Sequence, residues 1–387
     1  MTETVVVLGS GYAGAGAIQR LETELDDSVD LVWVSEHPYH LILHEAHRCI
    51  RDPSVRDDIT IAVDEIKSPT TTFRNGHVSS VDTDDRALTL ADGETLQYDY
   101  LLVAVGSQTA FFGIEGLETY ALTLKSLDDA LEIHESVVEA ATTATPTEPA
   151  RVVVGGAGQT GVQVAGEVAG YRDDHDAPIE IILVEGLDSV LPGEQRSFQR
   201  AIQRRLEERD ITVQTGEFVE DVDSEQLLLD SGEQVPYDVL IWAGGITGQR
   251  EMQDITLAKD HESHRLKTTT TFQTDDDRVF AIGDAALVDQ PGDEPAPATA
   301  QAAWQAADVA GANIARMLRG QPLKEWRFED KGTVVSVGED AVATNVLYSP
   351  IETFGGVAAK LLKKVIATRW IADVSSLSRA VSAWGKM

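Results

Sequence analysis

Twice in this chain an apolar run passes without a break into glycines at G-x-G-x-x-G spacing and then into helical periodicity, first at VVVLGSGYAGAG from Val5 and again at RVVVGGAGQTGVQVAGEV from Arg151. Few folds accept that pattern. The first glycine of each set, Gly9 or Gly156, permits a tight turn. The second, Gly11 or Gly158, lets backbone approach a pyrophosphate, and the third, Gly14 or Gly161, lets helix and strand pack closely, with the helix N-terminus facing the phosphates. A second apolar strand follows each set and ends in a carboxylate: LVWVSE at Glu36, 22 residues after Gly14, and IEIILVE at Glu185, 24 residues after Gly161. A carboxylate at that distance can accept hydrogen bonds from ribose hydroxyls. No arginine follows Glu185 closely to welcome a 2′-phosphate, so the second unit is expected to take NAD rather than NADP. The expected fold class is α/β, with two Rossmann-like dinucleotide-binding domains, each built on a parallel central sheet.

Composition narrows the setting. Acidic side chains outnumber basic ones 65 to 31, and a net charge of −34 excludes nucleic acid as a partner. Self-repulsion of that size destabilises a compact state unless counterions screen it, so a salt-rich, halophilic cytoplasm is expected and removal of salt should unfold the protein. A hydrophobic fraction of 42% excludes a disordered acidic chain. The single cysteine, Cys49, forbids an internal disulfide and any dithiol redox centre. No basic stretch precedes the strand at Val5, and no apolar run is long enough to span a bilayer, so neither a signal peptide nor a transmembrane helix is expected.

Together with YDYLLVAVGS, which contains Gly106, and RVFAIGDAAL, which contains Asp284, the doubled glycine pattern resembles the two-dinucleotide-fold flavoprotein superfamily. The resemblance implies FAD in the first unit and NADH in the second, with Gly106 near the phosphate end of the flavin nucleotide and Asp284 on its ribitol. Val105 stands where a threonine is usual. Within the superfamily, PATAQAAWQAADVAGANIARML resembles the A-Q-x-A-x-Q-Q segment of type II NADH:quinone oxidoreductases, which lines the quinone pocket beside the flavin. Gln301 and Gln305 sit four apart and share a helical face, whereas Ala306 replaces the second glutamine of the doublet. GVQVAGEV is similar to the G-V-E-x-A-G-E of that family, whose last glutamate lies beside nicotinamide and flavin; Glu167 matches it, and Gln163 replaces the first glutamate. The activity implied is hydride transfer from NADH to FAD, then two electrons to a menaquinone-like quinone without proton pumping, with Glu167, Gln301 and Gln305 tuning orientation and protonation. Disulfide reductases and sulfide:quinone oxidoreductases use a cysteine pair that this chain does not have. The alternatives are a soluble NADH oxidase or a peroxide or disulfide reductase working through Cys49, and a flavoprotein sensor that turns nothing over.

On this reading residues 1–115 and 250–320 build the FAD domain, interrupted by an NADH domain over 116–249 into which ATTATPTEPA reads as a linker. Residues 321–387 form a C-terminal piece. From Thr353 onward six basic side chains face Asp373 alone, and a helix over 357–366 puts Val357, Leu361, Leu362, Val365 and Ile366 on one half and Lys360, Lys363 and Lys364 on the other. Such a helix is too short to span a membrane but suits its interface, with Trp370 as a headgroup-level anchor. Packing on the chain's own acidic surface, or on a second subunit as a homodimer, is the alternative. The expected location is the inner face of the cell membrane, and deletion after Phe354 is expected to leave a soluble, active enzyme. His37, His40, His44, His47 and Cys49 crowd into thirteen residues, and His40, His44 and His47 at helical spacing could share a metal-binding face. Pocket lining or packing is preferred there, and no metal is expected.

Overall fold

The computed structural model describes residues 2–292 and 294–385, and two parallel sheets organise it. In the first unit the strand Glu3–Leu8 pairs in parallel with Val29–Ser35 on one side and Tyr100–Val103 on the other. Thr72–Asn75 and Val279–Ala281 complete a five-stranded sheet. Val5, Val6, Val7 and Leu8 are wholly buried, which is why this strand reads as a continuous apolar run rather than an alternating one. The turn that follows needs Gly9, at φ +101°, where an added Cβ would lie 2.3 Å from the Ala104 carbonyl oxygen.

Between Tyr100–Val103 and Val279–Ala281 the chain builds its second sheet, in the order Ile211–Thr215, Ile179–Glu185, Ala150–Gly155, Val239–Trp242, again all parallel. The second unit is thus inserted into the sheet of the first. Each unit also carries a three-stranded antiparallel sheet, Val78–Asp82 with Ala87–Leu90 and Thr95–Gln97 in one, and Val219–Val222 with Gln226–Leu229 and Gln234–Pro236 in the other.

The C-terminal piece holds structure that helical periodicity did not reveal. Thr333–Val337, Asp340–Thr344 and Thr353–Gly355 form an antiparallel sheet seated on the helix Gln159–His175, so closely that a Cβ on Gly166 would lie 2.4 Å from the Gly338 amide nitrogen. The helices Val357–Val374 and Leu377–Trp384 follow. The first of these, the tail helix, turns Val357 and Leu361 outward, leaves Val365 and Ile366 part-exposed along the cavity, and buries Ala359, Ala367, Trp370, Ile371 and Val374. Lys363 falls in the middle of the buried stripe, with its side chain only 13% exposed. On the lysine half, Lys363 is docked on the body over the buried Glu45 carboxylate, whereas Lys360, itself exposed, pairs Glu339 at 3.2 Å.

The histidine-rich stretch also departs from its helical reading. His40 lies in the short strand Tyr39–Leu41, and His44 and His47 lie in a 3₁₀ run, Leu43–Ile50, whose three residues per turn do not stack i and i+4 positions. Among the described residues no group of three His, Cys, Asp or Glu side chains is placed to hold a metal. Likewise, no described helix is long and apolar enough to cross a membrane.

Candidate active site

A cavity of about 1350 Å³ runs from the first Gly-rich turn, past the N-terminus of the second Gly-rich helix, to the tail helix. Its first end has the shape a dinucleotide needs. The helix Tyr12–Glu24 starts at Gly11 with no capping side chain, so its first amides are left for a ligand, and Cβ atoms added at Gly11 or Gly106 would meet nothing within 4 Å. Glu36 lines the cavity at the end of its strand, 3.5 Å from His77 Nδ1. Further in, Ser107 Oγ donates to Asp284 Oδ2 at 3.3 Å, and Lys125 Nζ donates to Ser107 Oγ at 3.1 Å. Burial pulls the Lys125 ammonium below its ordinary pKa while Asp284 and Asp129 oppose it. Ser107 and Lys125 were not anticipated. The available signal was SLDD, in which Ser126 and Asp129 form the capping box that fixes the backbone beside Lys125.

The second Gly-rich turn presents Gly158, again without a capping side chain and with open space where a Cβ would stand, followed by Gln159, Thr160 and Gln163 along the cavity. Gly156 and Gly161 pack against each other, since a Cβ on Gly161 would lie 1.8 Å from the Gly156 oxygen. Glu185 is buried and braces this turn, accepting hydrogen bonds from the Ala157 amide at 2.7 Å and the Leu187 amide at 2.9 Å.

The two pocket glutamines do line the cavity on one face of the helix Ala300–Leu318, with Gln305 Nε2 3.3 Å from Gln301 Oε1. Their amides, however, are engaged by the segment 329–332. Gln301 accepts from the Lys331 amide at 2.7 Å and donates to the Gly332 carbonyl at 3.2 Å. Gln305 accepts from the Glu329 amide at 3.1 Å and donates to its carbonyl at 2.9 Å. They hold Lys331, Gly332 and Thr333 in the cavity wall.

On the helix Gln159–His175 it is Gln163 that faces the cavity, whereas Glu167 is buried one turn further on, outside the lining. Gln163 Oε1 accepts from Lys363 Nζ at 3.1 Å and from Ser336 Oγ at 3.2 Å; Lys363 also donates to Ser336 Oγ at 2.7 Å and to His47 Nε2 at 3.1 Å. Glu45 Oε1 lies 3.5 Å from the ammonium. Burial pushes the Glu45 carboxyl up, but Lys363, His44 and Arg48 outweigh it and hold it below its ordinary value.

For Glu167 burial prevails over Lys363, Arg48 and Arg51 and raises its pKa to about 7. A carboxyl with a raised folded-state pKa contributes stability that is complete below its unfolded value and is lost as pH climbs through the folded one. From about pH 5 to about pH 8 the protein is therefore expected to lose on the order of 3 kcal/mol. Thermal melts of Glu167→Gln at high salt check this: the loss should largely disappear.

An aromatic group closes the cavity beside the tail. Tyr12 hydrogen-bonds His44 Nδ1 and packs on Trp370 with ring centroids 4.9 Å apart, and Trp304 meets Trp370 edge-on at 4.7 Å. Trp370 Nε1 donates to His40 Nε2 at 2.7 Å, so the His40 proton sits on Nδ1, facing the Ser10 carbonyl at 2.7 Å. Burial lowers His40 to about 4 and keeps it neutral. Cys49 is wholly buried, and burial pushes its thiol up to about 12, so no thiolate is available near neutrality. Cys49→Ser is expected to leave turnover within about twofold, since burial, not nucleophilicity, defines the residue; steady-state NADH oxidation measures it.

Comparisons with known proteins bear on the fold and the family. The model of the pyridine nucleotide-disulphide oxidoreductase family matches residues 3–307. A type II NADH:quinone oxidoreductase of Staphylococcus aureus is 27% identical over 401 residues, covering 97% of each chain. Among solved structures, NDH2 of Plasmodium falciparum in complex with NADH superposes with a TM-score of 0.85 at 19% identity, covering 100% of this chain and 98% of that one. The sulfide:quinone oxidoreductase of Aquifex aeolicus reaches 0.79 at 19% identity, covering 97% and 92%. With two parallel dinucleotide folds, one inserted in the other, and a family match over most of its length, the chain belongs to the pyridine nucleotide-disulphide oxidoreductase family.

Proposed function

We propose that the chain is an FAD-dependent NADH:quinone oxidoreductase acting at a membrane surface. The observation that carries the reading is the continuity of the cavity, which joins the Gly11–Glu36–Asp284 cleft, the Gly158–Gln163 turn and the apolar wall of Trp304, Leu362, Val365 and Ile366 in one space. The relatives that match over nearly the whole chain carry the corresponding name.

FAD bound along the first cleft supplies two-electron chemistry between a hydride donor and a separate acceptor. The chain's residues supply position. Gly11 and the uncapped helix start receive a pyrophosphate, Glu36 a ribose, and Ser107, Lys125 and Asp284 the polar chain between nucleotide and ring. Gly158 and its helix do the same for NADH, and Gln163 and Lys363 mark where donor and acceptor regions meet. The balance is NADH, one proton and a quinone to NAD⁺ and a quinol, with both electrons arriving as the hydride. The apolar wall accepts the quinone ring and excludes water, and no protein nucleophile takes part. Ile366→Trp, which narrows this end, is expected to slow menadione reduction at least about tenfold, because misplacement of a reacting group costs orders of magnitude. Rapid mixing with NADH alone should show the flavin bleaching at the unaltered rate; equal loss in both steps would contradict the assignment of this wall to the acceptor.

The exposed stripe of the tail helix, with Val357 at 83% exposure and Leu377 and Val381 of the last helix at 75% and 73%, supports peripheral contact with a membrane, which we place at its inner face. Near molar salt the Debye length is about 3 Å, so apolar insertion rather than lysine charge carries the binding.

A further inference from the structure

The loop between the strands Asp340–Thr344 and Thr353–Gly355 has an apolar tip that nothing among the described residues covers. Tyr348 is 94% exposed, Ile351 57% and Leu347 39%. Tyr348 holds its ring outward at φ +67°, a left-handed conformation that disfavours any residue with a Cβ, and Asn345 at the start of the loop is also left-handed. From Asn345 to Ile351 the loop carries no charged residue, in a chain whose net charge is −34.

The position of the loop gives this tip a meaning. Val346 and Leu362 of the tail helix pack on the same small core of Ala341, Ala343 and Ala359, and Val346 and Leu347 line the same cavity as Leu362, Val365 and Ile366. Loop tip and outer helix face therefore flank one mouth, the one assigned above to the acceptor. The loop continues the exposed apolar stripe of the tail helix, assigned above to a lipid surface, and such a surface offers apolar depth to Ile351 and Leu347 and headgroup level to a tyrosine.

We propose that the loop Asn345–Glu352 is a second lipid-inserting element, which together with the tail helix rims the acceptor mouth against the bilayer. The proposal rests on the membrane reading above but makes a separate claim about the loop. Because Cys49 is buried and its thiol unreactive, a cysteine placed at Tyr348 can be labelled alone with a nitrobenzoxadiazole fluorophore in the FAD-loaded protein. With vesicles of phosphatidylcholine and phosphatidylglycerol in high salt, the label in Tyr348→Cys is expected to brighten several-fold and shift to the blue, whereas the same label in Tyr120→Cys, at the end of the short helix Leu117–Tyr120 outside the loop and tail, should not respond. Tyr348→Ser with Ile351→Ser should lower the vesicle-bound fraction about tenfold, given the apolar area withdrawn. Its menadione rate without vesicles should be unchanged, since neither side chain lines the cavity. A holoenzyme that floats with vesicles while the Tyr348 label stays in water would overturn the loop's role and leave the membrane reading standing. Failure of the unaltered holoenzyme to float would overturn both, and a label that responds to protein concentration instead of vesicles would identify a second copy as the occupant.

Discussion

Lys363→Met is expected to destabilise the protein by about 3 to 5 kcal/mol, the penalty for leaving a buried charge without its partner. The side chains of Lys363 and Glu45 are 13% and 5% exposed, and the ammonium is shared among Glu45, Gln163, Ser336 and His47. Burial, joined by Arg48, pulls the lysine pKa down, and Glu45 and Glu167 counter it, so the charge belongs to the cluster rather than to one pair. Thermal or denaturant melts in high salt measure the loss. Lys360→Met serves as a control: its pair with Glu339 is exposed at 47% and 64%, and such pairs contribute about 0 to 1 kcal/mol. Adding Glu45→Gln to Lys363→Met should recover part of the deficit, because the buried carboxylate would otherwise keep only Arg48 and His44 beside it. A loss no greater than that of Lys360→Met would show that the cluster does not hold the tail.

Truncation before Val357 is expected to abolish quinone turnover rather than release a soluble, active enzyme. The tail helix contributes Leu362, Lys363, Val365, Ile366, Arg369 and Trp370 to the cavity wall, so its loss removes the acceptor end of the site. A fall of at least roughly 100-fold is expected for quinone reduction, in keeping with the effect of lost positioning. Trp370→Ala isolates the packing part. This ring is 2% exposed, touches Tyr12, Trp304 and His40, and its removal should cost about 3 to 5 kcal/mol. A truncated protein that folds and reduces menadione at the full rate would contradict the placement of the acceptor site.

Much of the fold was written in local pattern. The glycines and the apolar strands that precede them follow from short-range geometry, so Gly9, Gly11 and Gly158 could be placed without tertiary information. Tertiary facts decided the rest. That Gln301 and Gln305 share a face was readable from their spacing, but not that the segment 329–332 would engage both amides. The tail helix showed its two halves in sequence, but a helical wheel does not say which half meets the body. Lys363 belongs to the buried half because Glu45, more than three hundred residues earlier, lies beneath it. The distinction between Gln163 and Glu167 is of the same kind: both sit on one helix, and only the cavity separates their surroundings.

On the proposed function, one chain holds FAD and NADH side by side and passes reducing equivalents on to a quinone. Anaerobic sequential-mixing absorbance of the FAD-loaded protein, first with NADH and then with menadione, tests it most directly. The flavin band is expected to bleach with one equivalent of NADH and to return in full with menadione, with no dependence on Cys49. A protein that takes up no FAD, or whose flavin bleaches with NADH but is not reoxidised by menadione, would contradict it.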